Sequence, residues 1–588
     1  MLEKFFKQNW DQIKFFSLVA AFFIGLDILA VVLTMAGIFY RELLVGYLLV
    51  GGFILIKLAL RNYTLLKFSR ETKWVFIVGA IVVIVFYFFS SPTIFSGRDQ
   101  GALSLGAIYL ADNHQLEVSF PAEQEFFEIY GPGKALNFPG FNYTELGSLK
   151  TQFPLGYISW LAVFYSLFGI NGLIIANAVT FFLFFISFYF VLKKFISAPA
   201  RILAMLTLIT TFVFYWFFKF TLSENLALFL VWFGIVQLII YQQKKDNFFL
   251  WLSFLSFSVL AFTRIEALAF LAMLFIWLIV KNKFKKEKKN SLEKWQVISL
   301  ISIGLIYIIA LYVNQEFYIS LAKSLFKSST NTTGVVSQNA IFQPFYYVLK
   351  VFLAYGMLNF LLFGLLTVAI LFKKKDYQKL TPFIILWPVV FYLFSPQISL
   401  DHPWMLRRFL LAVIPGVIFY TFYFFDQLIR KRIFLYFFSG LFLVSNLIIA
   451  GQFFFFQPEN NLKNQMEILF QRFSNNDLIL IDRQITGDPW SMMAGPMHAL
   501  QGKQTVYFFN PSDLDKIDKT KFASIYLISP KEGKEFYENS LIGSKLTQSE
   551  TLTIKNAIIV TDNLTRGAFI SLPKIINQST EVIIYKIN

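Results

Sequence analysis

The stretch WVFIVGAIVVIVFYFFSSPTIFSGRDQG, residues 74–101, decides how this chain is built. Residues 74–92 are uncharged and, at about 1.5 Å per residue, long enough to cross the hydrocarbon of a bilayer. Directly after them, Ser96-Gly97-Arg98-Asp99-Gln100-Gly101 sets an arginine and a carboxylate at the lipid–water boundary. Charge at that depth is costly unless it serves a purpose, so Asp99 is the first candidate for chemistry.

The rest of the chain repeats the apolar pattern. Hydrophobic residues make up 57% of the 588, mean hydropathy is +0.60 and there are 75 Phe, well beyond a water-soluble composition. Further runs of spanning length lie at 14–40, 42–60, 171–193, 199–218, 222–241, 247–263, 265–281, 295–313, 346–372, 379–395, 407–426 and 433–455. A shorter run occupies 154–169. The expected fold is therefore a polytopic α-helical membrane protein. The N-terminal run follows Lys4, Lys7 and Lys14 without a small-residue cleavage site, and reads as a retained first helix.

The net charge of +17 does not point to nucleic acid, because much of it sits in short clusters between apolar runs. These are Lys57 to Lys73, Lys193 with Lys194, Lys244 with Lys245, Lys281 to Lys289, Lys373 to Lys375, and Arg430 to Arg432. All six fall on the cytoplasmic side if 154–169 is a juxtamembrane or re-entrant helix. That arrangement gives about thirteen transmembrane helices and puts Asp99 outside the inner (cytoplasmic) membrane. Lys219 and Glu224, Arg264 and Glu266, and the stretch Asp401 to Arg408 then share the outer face with Asp99, as one active site requires. The absence of Cys excludes disulfides and a thiol nucleophile.

Composition changes after Phe456, where strand-like stretches at 477–481, 504–508, 524–528, 557–560 and 581–587 alternate with polar segments. We expect a transmembrane domain over 1–456, carrying an external loop at 93–153 with juxtamembrane helices, and an extracytoplasmic soluble α/β domain over 457–588. The second holds no glycine-rich nucleotide fingerprint. In the loop, Glu123, Glu125 and Glu128 fit either a helix lying on the membrane surface or a substrate-binding cover. His114 is one of three His and a weak metal ligand candidate. Asn331-Thr332-Thr333 is a glycosylation sequon only in a eukaryotic secretory route.

In order along the chain, the hydrophobic helix, Arg98-Asp99-Gln100, the external loop, Phe153-Pro154-Leu155-Gly156-Tyr157, the Lys219 to Glu224 turn, and Leu406-Arg407-Arg408-Phe409-Leu410 up to Pro415 resemble the GT-C membrane glycosyltransferases. That superfamily includes protein O-mannosyltransferases and the transferases that add aminoarabinose to lipid A. Three positions depart from its pattern: Gln100 where a second acid is frequent, a single Pro154, and Lys219 for an arginine. The resemblance implies an inverting glycosyltransferase that takes a sugar from a polyprenyl-phosphate carrier among the membrane lipids. The acceptor, a lipid, glycan or protein, would lie outside the cytoplasmic membrane. Asp99 would be the base, with Arg98, Lys219, Glu224, Arg264, Glu266, His402, Arg407 and Arg408 binding substrate. No cofactor is implied, and a divalent metal is compatible but not required. Composition and spacing alone leave open a transporter or flippase of a lipid-linked saccharide, or a member of the fold that only binds the carrier.

Overall fold

Every one of the thirteen apolar runs folds as helix, because unpaired backbone groups are not tolerated in lipid. The computed structural model describes residues 12–61, 68–284, 294–315, 317–319, 339–396, 398, 401–561 and 569–588. Lys4, Lys7, Lys67, the end of the Lys281 to Lys289 cluster and the Asn331 sequon lie outside the described residues. Among the described residues six helices are long and apolar enough to cross a membrane: Gln12–Met35, Arg41–Arg61, Arg70–Phe88, Asn171–Phe195, Ser223–Lys244 and Arg432–Phe453. Two bent helix pairs raise the number to eight by length and composition, against the thirteen segments counted in the sequence. The other apolar helices have 10–17 residues, as in Asn247–Leu260 and Thr381–Leu393. Leu49, Phe53 and Leu60 stand exposed on Arg41–Arg61, a face that lipid covers. The chain is a multi-pass membrane protein.

Each bend has a local cause. The run at 346–372, read as one span, turns by 115° between Pro344–Ala354 and Leu358–Lys373. Gly356 sits at the corner with φ +70°, a left-handed conformation that side chains disfavour. The second pair, Trp404–Leu410 and Val413–Ile429, bends by 58°. Pro415 cannot donate to the carbonyl four residues back, that of Leu411, and its ring crowds it. The freed Leu411 carbonyl instead accepts from the Trp232 indole at 3.2 Å.

The short run folds as Leu155–Phe168, a buried 14-residue helix packed on Asp99–Asn113 and Asn171–Phe195. At about 1.5 Å per residue it is too short to span alone. The loop before it holds Asp99–Asn113, Pro121–Tyr130 and a small antiparallel sheet, β1 (Gly133–Lys134), β2 (Phe141–Tyr143) and β3 (Leu149–Thr151).

The C-terminal region is a five-stranded sheet ordered β5-β4-β6-β8-β7: β4 Leu478–Ile481, β5 Gln504–Tyr507, β6 Ile525–Pro530, β7 Leu546–Val560 and β8 Lys574–Ile587. β4 runs parallel to both neighbours, and β8 is antiparallel to β6 and β7. All five strand-like stretches of the sequence fall in these strands, though β7 and β8 form a hairpin much longer than expected.

The loop packs against this sheet. Phe120, Phe126 and Phe138 share one buried cluster with Leu478, Leu480, Val506 and Phe508. Glu125 accepts from Lys521 Nζ at 2.5 Å and from the Asp518 amide at 2.6 Å, while Glu123 accepts from the Phe120 amide at 3.2 Å. Glu125 thus ties the loop to the C-terminal region, and Glu123 caps its own helix, Pro121–Tyr130. The Gly97 amide donates to the Trp490 carbonyl at 2.6 Å, which fixes the sheet region to the bundle end where Arg70–Phe88 finishes.

Candidate functional site

Asp99 begins the helix Asp99–Asn113, where a carboxylate is favoured by the positive end of the helix dipole. The turn into this helix requires Gly101: a Cβ there would lie 1.7 Å from the Ser96 carbonyl oxygen. Asp99 Oδ2 accepts from Arg407 Nη1 at 2.6 Å. From there an alternating series of charges runs into the protein. Arg407 Nε lies 3.8 Å from Glu224 Oε1, and Arg264 Nη1 lies 2.8 Å from the same oxygen. Arg264 grips Glu266 with both Nε and Nη2, at 2.9 and 2.6 Å. Arg408 approaches Glu266 at 3.5 Å, and Tyr392 donates to it at 2.6 Å.

Burial separates the members of this series. The side chains of Arg407, Glu224, Arg264 and Glu266 are 7%, 3%, 7% and 8% exposed, but that of Asp99 is 39%. Buried ions persist only when paired, and these are paired in sequence until the series surfaces at Asp99. The expected Arg264–Glu266 pair forms. Lys219 and Glu224 do not meet. Lys219 instead donates to the carbonyls of Phe453, Phe454 and Phe456 at 3.0, 2.6 and 2.6 Å, capping the end of Arg432–Phe453.

Beside Asp99 a cavity of about 330 Å³ opens between the bundle and the C-terminal sheet. Arg98 and Gln100, the neighbours of Asp99 in sequence, both line it. Arg98 pairs with Asp401 at 2.7 Å and stacks on Trp404 and Trp490, 4.9 and 4.2 Å from their ring centroids. His402 also lines the cavity, with Nδ1 3.2 Å from the Tyr355 hydroxyl. Burial holds the His402 imidazole below its usual pKa, against the pull of Asp401. Glu459 and Asp488 both line the cavity; burial pushes Glu459 up to about 8, assisted by the Asp488 charge, and raises Asp488 as well.

His114 lies away from this group, its Nδ1 2.9 Å from the Phe39 carbonyl and its ring against Tyr40. Among the described residues no three His, Asp or Glu side chains gather as a set that could hold a metal ion. Sequence reasoning missed Tyr392, Glu459, Asp488, Trp490 and Asn556, none of which belongs to a motif. Asp401 and Trp404 were within the stretch at 401–408, and their proximity to two arginines was the available signal.

No family model matches the chain, and no curated protein matches it either. Solved structures do. ArnT from Cupriavidus metallidurans in the apo state aligns with TM-score 0.51 at 10% identity, covering 88% of this chain and 98% of that one. The same protein bound to undecaprenyl phosphate aligns with TM-score 0.46 at 10% identity, over 87% and 98%. Over 88% of its length the chain has a fold similar to that of ArnT.

Proposed function

We propose that the chain is an inverting glycosyltransferase that moves a sugar from a polyprenyl-phosphate carrier to an acceptor outside the cytoplasmic membrane. One observation carries the reading: on an ArnT-like bundle, a partly exposed carboxylate, Asp99, ends a buried series of ion pairs through Arg407. A lipid phosphate arriving at this end is an anion that can take Arg407 from Asp99. Arg407 Nε lies 3.8 Å from Glu224, so the donor open to exchange is the Nη1 now on Asp99. Asp99 is then free to act as base.

The acceptor hydroxyl attacks the anomeric carbon on the face opposite the phosphate. Its oxygen–carbon bond forms as the carbon–phosphate-oxygen bond breaks, and its proton passes to Asp99. The released phosphate needs fixed positive charge rather than an acid. Arg407 supplies it, held in place by Glu224, with Arg264 and Arg408 deeper in the series. Lys219, its donors engaged by three carbonyls, acts in this reading by fixing the end of Arg432–Phe453.

The inner-membrane placement is part of this proposal, and charge supports its orientation. Lys14 with Asp246, Arg201 with Glu71, and Lys193 mark the end of the bundle opposite Asp99, the end expected in the cytoplasm. In this reading the C-terminal sheet lies outside. Purified protein incubated with a panel of undecaprenyl-phosphoryl hexoses should release undecaprenyl phosphate from at least one, with inversion at the anomeric carbon. Failure to bind undecaprenyl phosphate at all would remove the carrier from the reading.

A further inference from the structure

We infer that the apolar end of the β7–β8 hairpin rests in the lipid leaflet at the Asp99 end of the bundle, so that the C-terminal region touches the membrane itself. The inference holds whether or not the chain transfers a sugar.

Over Val582–Ile587, β8 is shared between β6 and β7, but residues 574–581 pair with β7 alone. The hairpin thus leaves the five-stranded sheet and continues as a two-stranded ribbon, a form that is marginal in water unless something covers it. Its composition changes along its length. At the sheet end Thr547, Gln548, Ser549, Glu550 and Thr551 are polar and exposed. From Ala557 to Val560 every residue is apolar, and Ile558 and Ile559 stand opposite Ile576 and Ile575. Successive side chains of a strand point to opposite faces, so two such pairs in succession make both faces of the ribbon apolar. Ile559, Ile570 and Leu572 pack against the main core of the protein. Val560, Phe569, Ile575 and Ile576 are left exposed, Phe569 by 78%. An exposed apolar patch of this kind marks a contact surface.

The position of this end identifies what covers it. Ile558 and Ile559 line the same cavity as Trp404 and Phe456, and Phe456 lies just past Phe453, where the spanning helix Arg432–Phe453 stops. Phe88 and Phe455, at the ends of two spans, are exposed, and the Gln457 side-chain amide donates to the Phe88 carbonyl at 2.5 Å. The apolar end of the ribbon is therefore continuous with the lipid-facing surface at the boundary where aromatic side chains gather. Lys555 and Lys574, both exposed, flank it and suit lipid phosphates. A second copy of the chain is the rival occupant, because β7 is an edge strand. Gln465 opposes it. Its side-chain amide accepts from the Lys555 N–H and donates to the Lys555 carbonyl, both at 2.8 Å, and so occupies the edge where the apolar end begins.

The chain has no Cys, so single cysteines placed at Ile576, Phe569 and Ser549 of the full-length protein can each carry a polarity-sensitive fluorophore, with Leu49 as the lipid-facing reference. The proteins are reconstituted in vesicles of phosphatidylethanolamine and phosphatidylglycerol, and thermal unfolding shows that each is folded. Labels on Ile576→Cys and Phe569→Cys should be blue-shifted and should lose emission when the vesicles include lipids with nitroxides on their acyl chains, as on Leu49→Cys. The label on Ser549→Cys should be neither shifted nor quenched. Either ribbon site suffices if the other variant does not fold, and Ile575→Cys replaces both if neither does. Emission from the ribbon sites as water-exposed as that from Ser549→Cys overturns the inference. A blue shift without quenching by nitroxide lipids overturns it as well: a shift that disappears as the protein is diluted in lipid then assigns the surface to a second copy, and one that persists assigns it to burial within the chain.

Discussion

Replacing Asp99 by Asn removes one negative charge from the exposed end of the ion-pair series and leaves its shape intact. The stability cost is small: the Asp99 side chain is 39% exposed, so its 2.6 Å pair with Arg407 is worth about 1 kcal/mol or less. Arg407 also keeps Glu224 at 3.8 Å. The kinetic cost is large if Asp99 is the base, about a hundred- to ten-thousand-fold, or roughly 3 to 5 kcal/mol of barrier. Glu224→Gln gives the opposite pattern. Glu224 is 3% exposed and lies between Arg264 and Arg407, so its loss leaves buried positive charge under-compensated, at a cost of up to about 3 to 5 kcal/mol in stability. Thermal unfolding of the purified variants measures the first quantity, and release of undecaprenyl phosphate from undecaprenyl-phosphoryl hexoses the second. Asp99→Asn should be folded and nearly inactive, and Glu224→Gln destabilised. Turnover of Asp99→Asn within tenfold of wild type would refute the role given to this carboxylate.

Lys219→Met should destabilise by roughly 1.5 to 3 kcal/mol, because three backbone carbonyls lose a charged donor, while undecaprenyl phosphate affinity per folded molecule stays level; a selective loss of lipid affinity would instead return Lys219 to the phosphate site. Glu459 binds its proton more tightly folded, at about 8, than its ordinary 4.5, so stability should fall as pH rises from about 4.5 and level off above about 8. Melting temperatures from pH 6 to 9 should show a shallower decline for Glu459→Gln, and an equal decline contradicts the assignment. Trp232→Phe removes the indole N–H and the volume of its five-membered ring, stranding the Leu411 carbonyl beside Pro415, at an expected combined cost of about 2 to 4 kcal/mol in denaturant titration, and an unchanged midpoint would show that this bond contributes nothing. The chain lacks Cys, so single cysteines report orientation: in intact cells Leu146→Cys and Ser544→Cys should react with a membrane-impermeant thiol reagent and Gln243→Cys should not, the reverse pattern inverting the topology.

What could be read in the sequence and what could not divide along a physical line. Helices were legible because lipid imposes one solution on every apolar run, and Asp99, Arg264, Glu266, Arg407 and Arg408 were legible because a charge beside such a run is rare. The partner of each charge was not. Lys219 looked like a phosphate ligand by its place in the motif order, and only the fold shows the end of Arg432–Phe453 waiting above it. Gly356 reads as a tolerated glycine inside an apolar run until its left-handed backbone turns the helix by 115°. Strand β7 was cut short: residues 547–551 are polar and exposed, which leaves no alternation to detect, and the brief alternation at 552–556 ends in a buried Asn. The deepest gap concerns Gln100 and Asn556, whose significance lies in what they lack. A missing hydrogen-bond partner belongs to no residue type or spacing; it exists only once distant segments have packed together and, among the described residues, none satisfies the side-chain oxygen of either. The partner of a polar group, or its lack, is thus what a local pattern hides best, since it is created by the assembly of distant segments.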